Sequence, residues 1–158
     1  MRYTFEAFDA ENFLNPGCYY VGAMFKDGNN WEDQIPNFMR EGIWILGWGD
    51  EIDKYVDRLD SVKKGDIFII KRLLGKGSSQ MKVLAAGVVV GKQPMTESIV
   101  NVEWSSPKLD LVVPLKGEIG TISLRHELPS LPSDIQIAVK KCQARFLRWN
   151  LNIVRTTY

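Results

Sequence analysis

Apolar residues recur along this chain at two different periods, and those periods divide it into strands and helices. Cys18 to Phe25 (Cys-Tyr-Tyr-Val-Gly-Ala-Met-Phe) is a β-rich apolar run interrupted by Gly22 and predicts a buried strand. Lys26-Asp27-Gly28-Asn29-Asn30 reads as a loop. Trp31 to Arg40 reads as a short helix, because Ile35, Phe38 and Met39 fall at i, i+3, i+4, Pro36 is tolerable near a first turn, and Gly42 ends it. Ile43 to Trp48 reads as a second strand. Asp50 to Val62 reads as a helix, with Ile52, Tyr55, Val56 and Leu59 on one stripe. After the turn Lys64-Gly65-Asp66, strands are predicted at Ile67–Arg72 and Met81–Gly91. They flank a Gly/Ser loop, and Gly87 inside the second marks a bulge or a close backbone approach.

Ile99–Trp104 alternates, with Val100 and Val102 on one face and Asn101 and Glu103 on the other. Leu109–Leu115 and Gly120–Leu124 read as further strands. Ser133 caps a helix from Asp134 to about Trp149, lined on one side by Ile135, Ala138, Val139, Cys142, Phe146 and Trp149. About six strands, short helices inserted early and one late helix describe an α+β fold around a small, barrel-like sheet. A chain of 158 residues without an internal repeat fits one domain spanning 1–158.

Composition narrows the class. Hydrophobic residues at 45% and charged residues at 25% are ordinary for a soluble globular protein. No apolar run approaches the roughly 18 residues of a membrane span, and the first residues lack a basic stretch followed by an apolar one, so a cytoplasmic location is expected. Cys18 and Cys142 read as buried thiols. The net charge of +1 conceals segregation: residues 1–62 carry five basic and twelve acidic side chains, whereas residues 63–92 carry seven basic ones against Asp66 alone. This implies either a basic face that attracts an anion or two faces of opposite sign that pair with each other.

The candidate chemistry is aromatic. Five tryptophans are present, and Trp44 and Trp48 share the segment Gly42-Ile43-Trp44-Ile45-Leu46-Gly47-Trp48-Gly49. An indole face is a stacking surface for a planar base. Trp31, Trp44 and Trp48 are therefore candidate pocket walls, with Asn15, Asn29, Asn30, Asp33 and Asp50 near enough in sequence to read a base edge. Alternation puts Trp44 and Trp48 on one face with Leu46 between them, and that face could equally be the core side. Lys71, Arg72, Lys76 and Lys82 surround the Gly/Ser loop and suit contact with a nucleic-acid backbone; the commoner role of such a hairpin is solubility. No catalytic set is visible. His126 is the one histidine, no zinc-ligand spacing occurs, and Lys76-Gly77-Ser78 lacks the order of a phosphate-binding loop. No metal or cofactor is expected.

Several of these strings carry a resemblance. Tyr19-Tyr20-Val21-Gly22-Ala23, then Trp31, Phe38, Glu41-Gly42-Ile43-Trp44 and Gly47-Trp48 come first. Val62-Lys63-Lys64-Gly65-Asp66-Ile67-Phe68-Ile69-Ile70-Lys71, Ala86-Gly87-Val88-Val89 and Val102-Glu103-Trp104 follow. Together they look like the EVE/YTH branch of PUA-like domains, and are most similar to the specificity domains ahead of the motor in McrB-type restriction proteins. The resemblance covers roughly residues 18–125. It implies a twisted, near-closed β-barrel with a C-terminal helix, and a pocket in which a flipped, modified base is held between aromatic rings. By position, Trp44 would be a cage wall and Trp48 a second, and the stretch from Gly22 and Ala23 to Asn30 would line the pocket floor and edge. The implied partner is nucleic acid carrying a modified base, DNA over RNA, with a separate motor or nuclease protein. Two other readings stay open: a protein-interaction module of a phage or defence system, and a small ASCH-like hydrolase.

Overall fold

A computed structural model describes residues 10–27, 29–47, 52–75, 77–93, 98–105, 109–115 and 120–156. Nine strands and four α-helices occur among them, in an α+β arrangement. The first helix, α1 (Ala10–Leu14), leads into β1 (Gly17–Val21), whose five residues are all buried. The hairpin of β2 (Met24–Asp27) and β3 (Asn30–Asp33) follows, then α2 (Ile35–Glu41) and β4 (Ile43–Ile45). After α3 (Ile52–Asp60) come β5 (Ile67–Leu73), the thirteen-residue β6 (Gln80–Lys92), β7 (Ile99–Trp104) and β8 (Leu111–Pro114). The short β9 (His126–Glu127) and a 3-10 turn precede α4 (Ser133–Thr156).

Seven strands form one mixed sheet in the order β4-β7-β6-β5-β1-β9, with β8 also on β6. β1 and β5 pair in parallel from Cys18↔Ile67 to Val21↔Ile70; the other strand pairs are antiparallel. Period-two alternation sends neighbouring residues to opposite faces, so the sheet has a core on each side. Tyr19, Val21, Trp44, Phe68, Ile70 and Val102 belong to one, with Phe38 of α2 and Leu59 of α3. Cys18, Tyr20, Ile67, Ile69 and Val88 belong to the other, with Phe13 of α1 and Ile135, Val139, Cys142 and Phe146 of α4.

Several predicted elements differ, the loop expected at Lys26–Asn30 among them, since Lys26 and Asp27 end β2 and Asn30 begins β3. The run Cys18–Phe25 is two strands, broken where Gly22 and Ala23 leave the sheet: Gly22 N–H donates to Thr121 O at 2.9 Å, and the Ala23 carbonyl accepts from Gln34 N–H at 2.7 Å. Trp31 is not helical. It lies on β3 opposite Lys26, and the helix begins only at Ile35, after the Asp33 carboxylate has accepted the Ile35 N–H at 2.9 Å. Gly120–Leu124 forms a single bridge, Val21↔Ile122, instead of a strand. Gly42 stops α2 as expected, at φ 66°, with its N–H on the Phe38 carbonyl. Gly87 marks a close approach: a Cβ there would meet Val102 Cγ1 at 2.6 Å and Trp104 Cε3 at 2.8 Å. The register irregularities of β6 lie elsewhere, opposite Ile70/Lys71 and at Val89/Gly91.

Asp66, fully buried, ties the start of β1 to the turn before β5. Its carboxylate accepts from Gly17 N–H (2.9 Å), Lys63 N–H (2.8 Å) and Asn12 Nδ2 (3.1 Å). Two of the three donors are backbone N–H groups, which the carboxylate keeps from being left without partners. No helix among the described residues is long and apolar enough to cross a membrane.

Candidate functional site

The ends of β1 and β5 diverge, and a cavity opens where they do. β1 stops at Val21, opposite Ile70, while β5 continues through Lys71, Arg72 and Leu73. The chain after Val21 turns away through Gly22 and Ala23 into the β2–β3 hairpin. The space left is about 480 Å³, inside the range of small-ligand sites. Gly22, Ala23 and Met24 form one wall, Lys71 to Leu73 another, Gly120 and Thr121 a third, and Trp31 stands at it from β3. Trp31 is 62% exposed, the most open tryptophan among the described residues.

The cations here are held. Lys71 is buried, and its Nζ donates to the Gly120 carbonyl at 2.7 Å, so it ties the wall formed by Gly120 and Thr121 to β5. Arg72 is half-exposed. One of its terminal nitrogens lies 3.1 Å from Asp33 Oδ2 and 3.4 Å from the Met24 sulfur, and both contacts fasten the hairpin to β5. Its Nε is buried and has no hydrogen-bond partner among the described residues.

The predicted site residues therefore separate into groups. Gly22, Ala23, Trp31, Lys71 and Arg72 meet at one cavity. Asp33 is engaged by Arg72 and the Ile35 N–H, and Asn30 sits exposed on β3. Trp48, Asp50 and Lys76 lie outside the described residues.

Trp44 is corrected from an open pocket wall to a core residue. It has no exposed surface, its Nε1–H donates to the Gly22 carbonyl at 2.8 Å, and Phe68 stands edge-on to it at 5.3 Å. Lys71 is corrected too: a lysine this buried cannot grip a strand passing over the surface. Lys82 is opposite Arg72 on the neighbouring strand and lies 3.6 Å from Asp110. Arg72 and Lys82 each have a carboxylate partner, so here opposite charges pair locally instead of forming a bare basic face.

Met24 falls within the stretch from Gly22 to Asn30 expected to line the pocket, whereas the sequence reading missed Leu73, Gly120 and Thr121. Gly120 and Thr121 lie about fifty residues beyond β5, and no local pattern ties them to it. The one available signal was Gly22 interrupting an apolar run, where the chain leaves the sheet.

Among the described residues, His126 and the two cysteines are buried or packed against neighbours. His126 packs edge-on to Tyr20 at 5.2 Å. Burial pushes the Cys18 thiol up to about 12, helped by the Asp66 and Glu127 carboxylates, and the Cys142 thiol up to about 11. Both are free thiols in the interior, and thiols so shifted are poor nucleophiles. Among the described residues, no three His, Cys, Asp or Glu side chains stand together as a metal site. Compared with protein-family models and with curated proteins, the chain gives no match to either.

Proposed function

We propose that this chain is a PUA-like domain of the EVE/YTH type that binds nucleic acid, DNA over RNA, and takes one modified base into the cavity beside Trp31. The observation that carries this reading is the exposed Trp31 indole at a recess of about 480 Å³ with a guanidinium on its wall. A flat heterocycle stacks on the indole. The half-exposed Arg72 guanidinium presents its charge to the attached phosphate. The glycine at position 22 keeps the facing wall low. A resident motor or nuclease would be a separate protein, and the role is recognition within a restriction or defence system.

Magnitudes decide how the test is read. Base–indole stacking contributes about 1–3 kcal/mol, whereas one methyl group adds about 0.8 kcal/mol, close to a fourfold preference. Trp31→Ala is therefore expected to weaken binding of methylated oligonucleotide by roughly 5- to 150-fold and to remove the preference over plain oligonucleotide, while Trp31→Phe retains part of both. Trp31 is exposed, so the substitution leaves folding intact. The measurement is a titration of methylated and plain DNA and RNA, single- and double-stranded, against wild type and both variants. Equal affinity of wild type and Trp31→Ala for every oligonucleotide would remove the proposal.

A further inference from the structure

A second recess, of about 490 Å³, lies where the end of β7 meets the later turns of α4. β7 contributes Glu103 and Trp104; α4 contributes Arg145, Arg148 and Trp149. Trp104 is fixed, since its Nε1–H donates to the Ile43 carbonyl at 3.1 Å and its ring lies against Gly87. Trp149 is 51% exposed, although its spacing puts it on the helix stripe of the buried Cys142 and Phe146. Arg145 donates to the Ser105 carbonyl, so one guanidinium is held at the lip, and Arg148 is exposed one turn further along. The half-buried Glu103 carboxylate is an acceptor shared with the adjoining recess that Arg40 and Gly42 also line.

Two indoles, two guanidiniums and one carboxylate suit three parts of one ligand. Indoles stack on a heterocycle, guanidiniums take a phosphate, and a carboxylate accepts from an exocyclic amine. We propose that the cleft between β7 and α4 is a second binding site, for a nucleotide unit whose base carries an exocyclic amine. The base rests against the exposed Trp149, with Trp104 at the edge of the cleft, its amine faces Glu103, and its phosphate lies at Arg145 and Arg148. Glu103 repels a phosphate placed deep in the cleft, so it fixes the polarity of binding, base inward and phosphate outward.

This inference stands apart from the cavity at Trp31, and its test is run in the Trp31→Ala background, where that cavity is disabled. The full chain is titrated with adenosine 5′-monophosphate, uridine 5′-monophosphate and a short oligodeoxyadenylate while the indole N–H resonances of Trp104 and Trp149 are followed. The expected result is saturable movement of both resonances with the adenine ligands and weaker binding of the uridine nucleotide. Movement with the free adenine nucleotide makes the site one for single nucleotides; movement with the oligonucleotide alone makes it one for a strand. Arg148→Ala and Trp149→Ala, both at exposed positions, are each expected to weaken binding roughly tenfold with an unchanged melting temperature. The proposal is overturned if neither adenine ligand moves these resonances, or if both variants bind as the parent does.

Discussion

Trp44 has no surface left to offer a ligand. Its one donor is engaged by the Gly22 carbonyl and its ring meets Phe68 edge-on. Trp44→Ala is accordingly expected to cost about 3–5 kcal/mol of stability through the cavity it leaves. Trp44→Phe is expected to cost less, about 1–3 kcal/mol, mainly because the Gly22 carbonyl loses its donor. Urea unfolding of the two variants checks both figures. A Trp44→Ala protein with unchanged unfolding and lost oligonucleotide binding would return the residue to the binding site. Alternation correctly grouped Trp44 with Leu46, and both are buried. What alternation cannot supply is which side of a strand is covered, because parity is local and the covering elements, here α2 and α3, are not. Trp31 shows the reverse difficulty. It sits on a strand exposed at every position, so no apolar period marked it, and the helical spacing of Ile35, Phe38 and Met39 was extended backward over it.

At the level of elements, β6 organises the sheet. It pairs with β5, β7 and β8, and Gly87 near its middle lets the Val102 and Trp104 side chains of β7 pack across it. Gly87→Ala places a methyl within 2.6 Å of Val102 Cγ1 and 3.0 Å of the Glu103 carbonyl oxygen. Rotation of Val102 does not relieve the second contact, since that atom is backbone. The expected cost is about 1–3 kcal/mol, with a shift of the Trp104 indole resonance that a substitution elsewhere on β6 does not produce. A stability equal to wild type would mean that β6 and β7 separate more easily than their register implies. This glycine was legible from the sequence because a glycine inside an apolar strand has few explanations. The β2–β3 hairpin and the lone bridge at Ile122 were not. The first has little apolar character, and the second owes its place to Val21, a hundred residues earlier.

For the whole molecule, the question is whether the sheet and its two helical coverings open as one. Cys18 on β1 and Cys142 on α4 fall in the same buried cluster, contributed by elements far apart in sequence. Both thiols are shifted upward by burial, to about 12 and about 11, so at mildly alkaline pH neither is a thiolate in the folded state and alkylation requires opening. On exposure each returns to an ordinary thiol of pKa about 8.5 and reacts. If α4 packs as an integral part of the domain, the two cysteines label at the same rate, and both rates rise with urea along the slope of global unfolding. Mass spectrometry after timed alkylation resolves the two sites. Faster labelling of Cys142 with a shallow urea dependence would make α4 a separately opening element. Because α4 also forms one side of the cleft with β7, such a result predicts that a nucleotide bound there slows Cys142 labelling while leaving Cys18 unchanged, by stabilising only the docked helix.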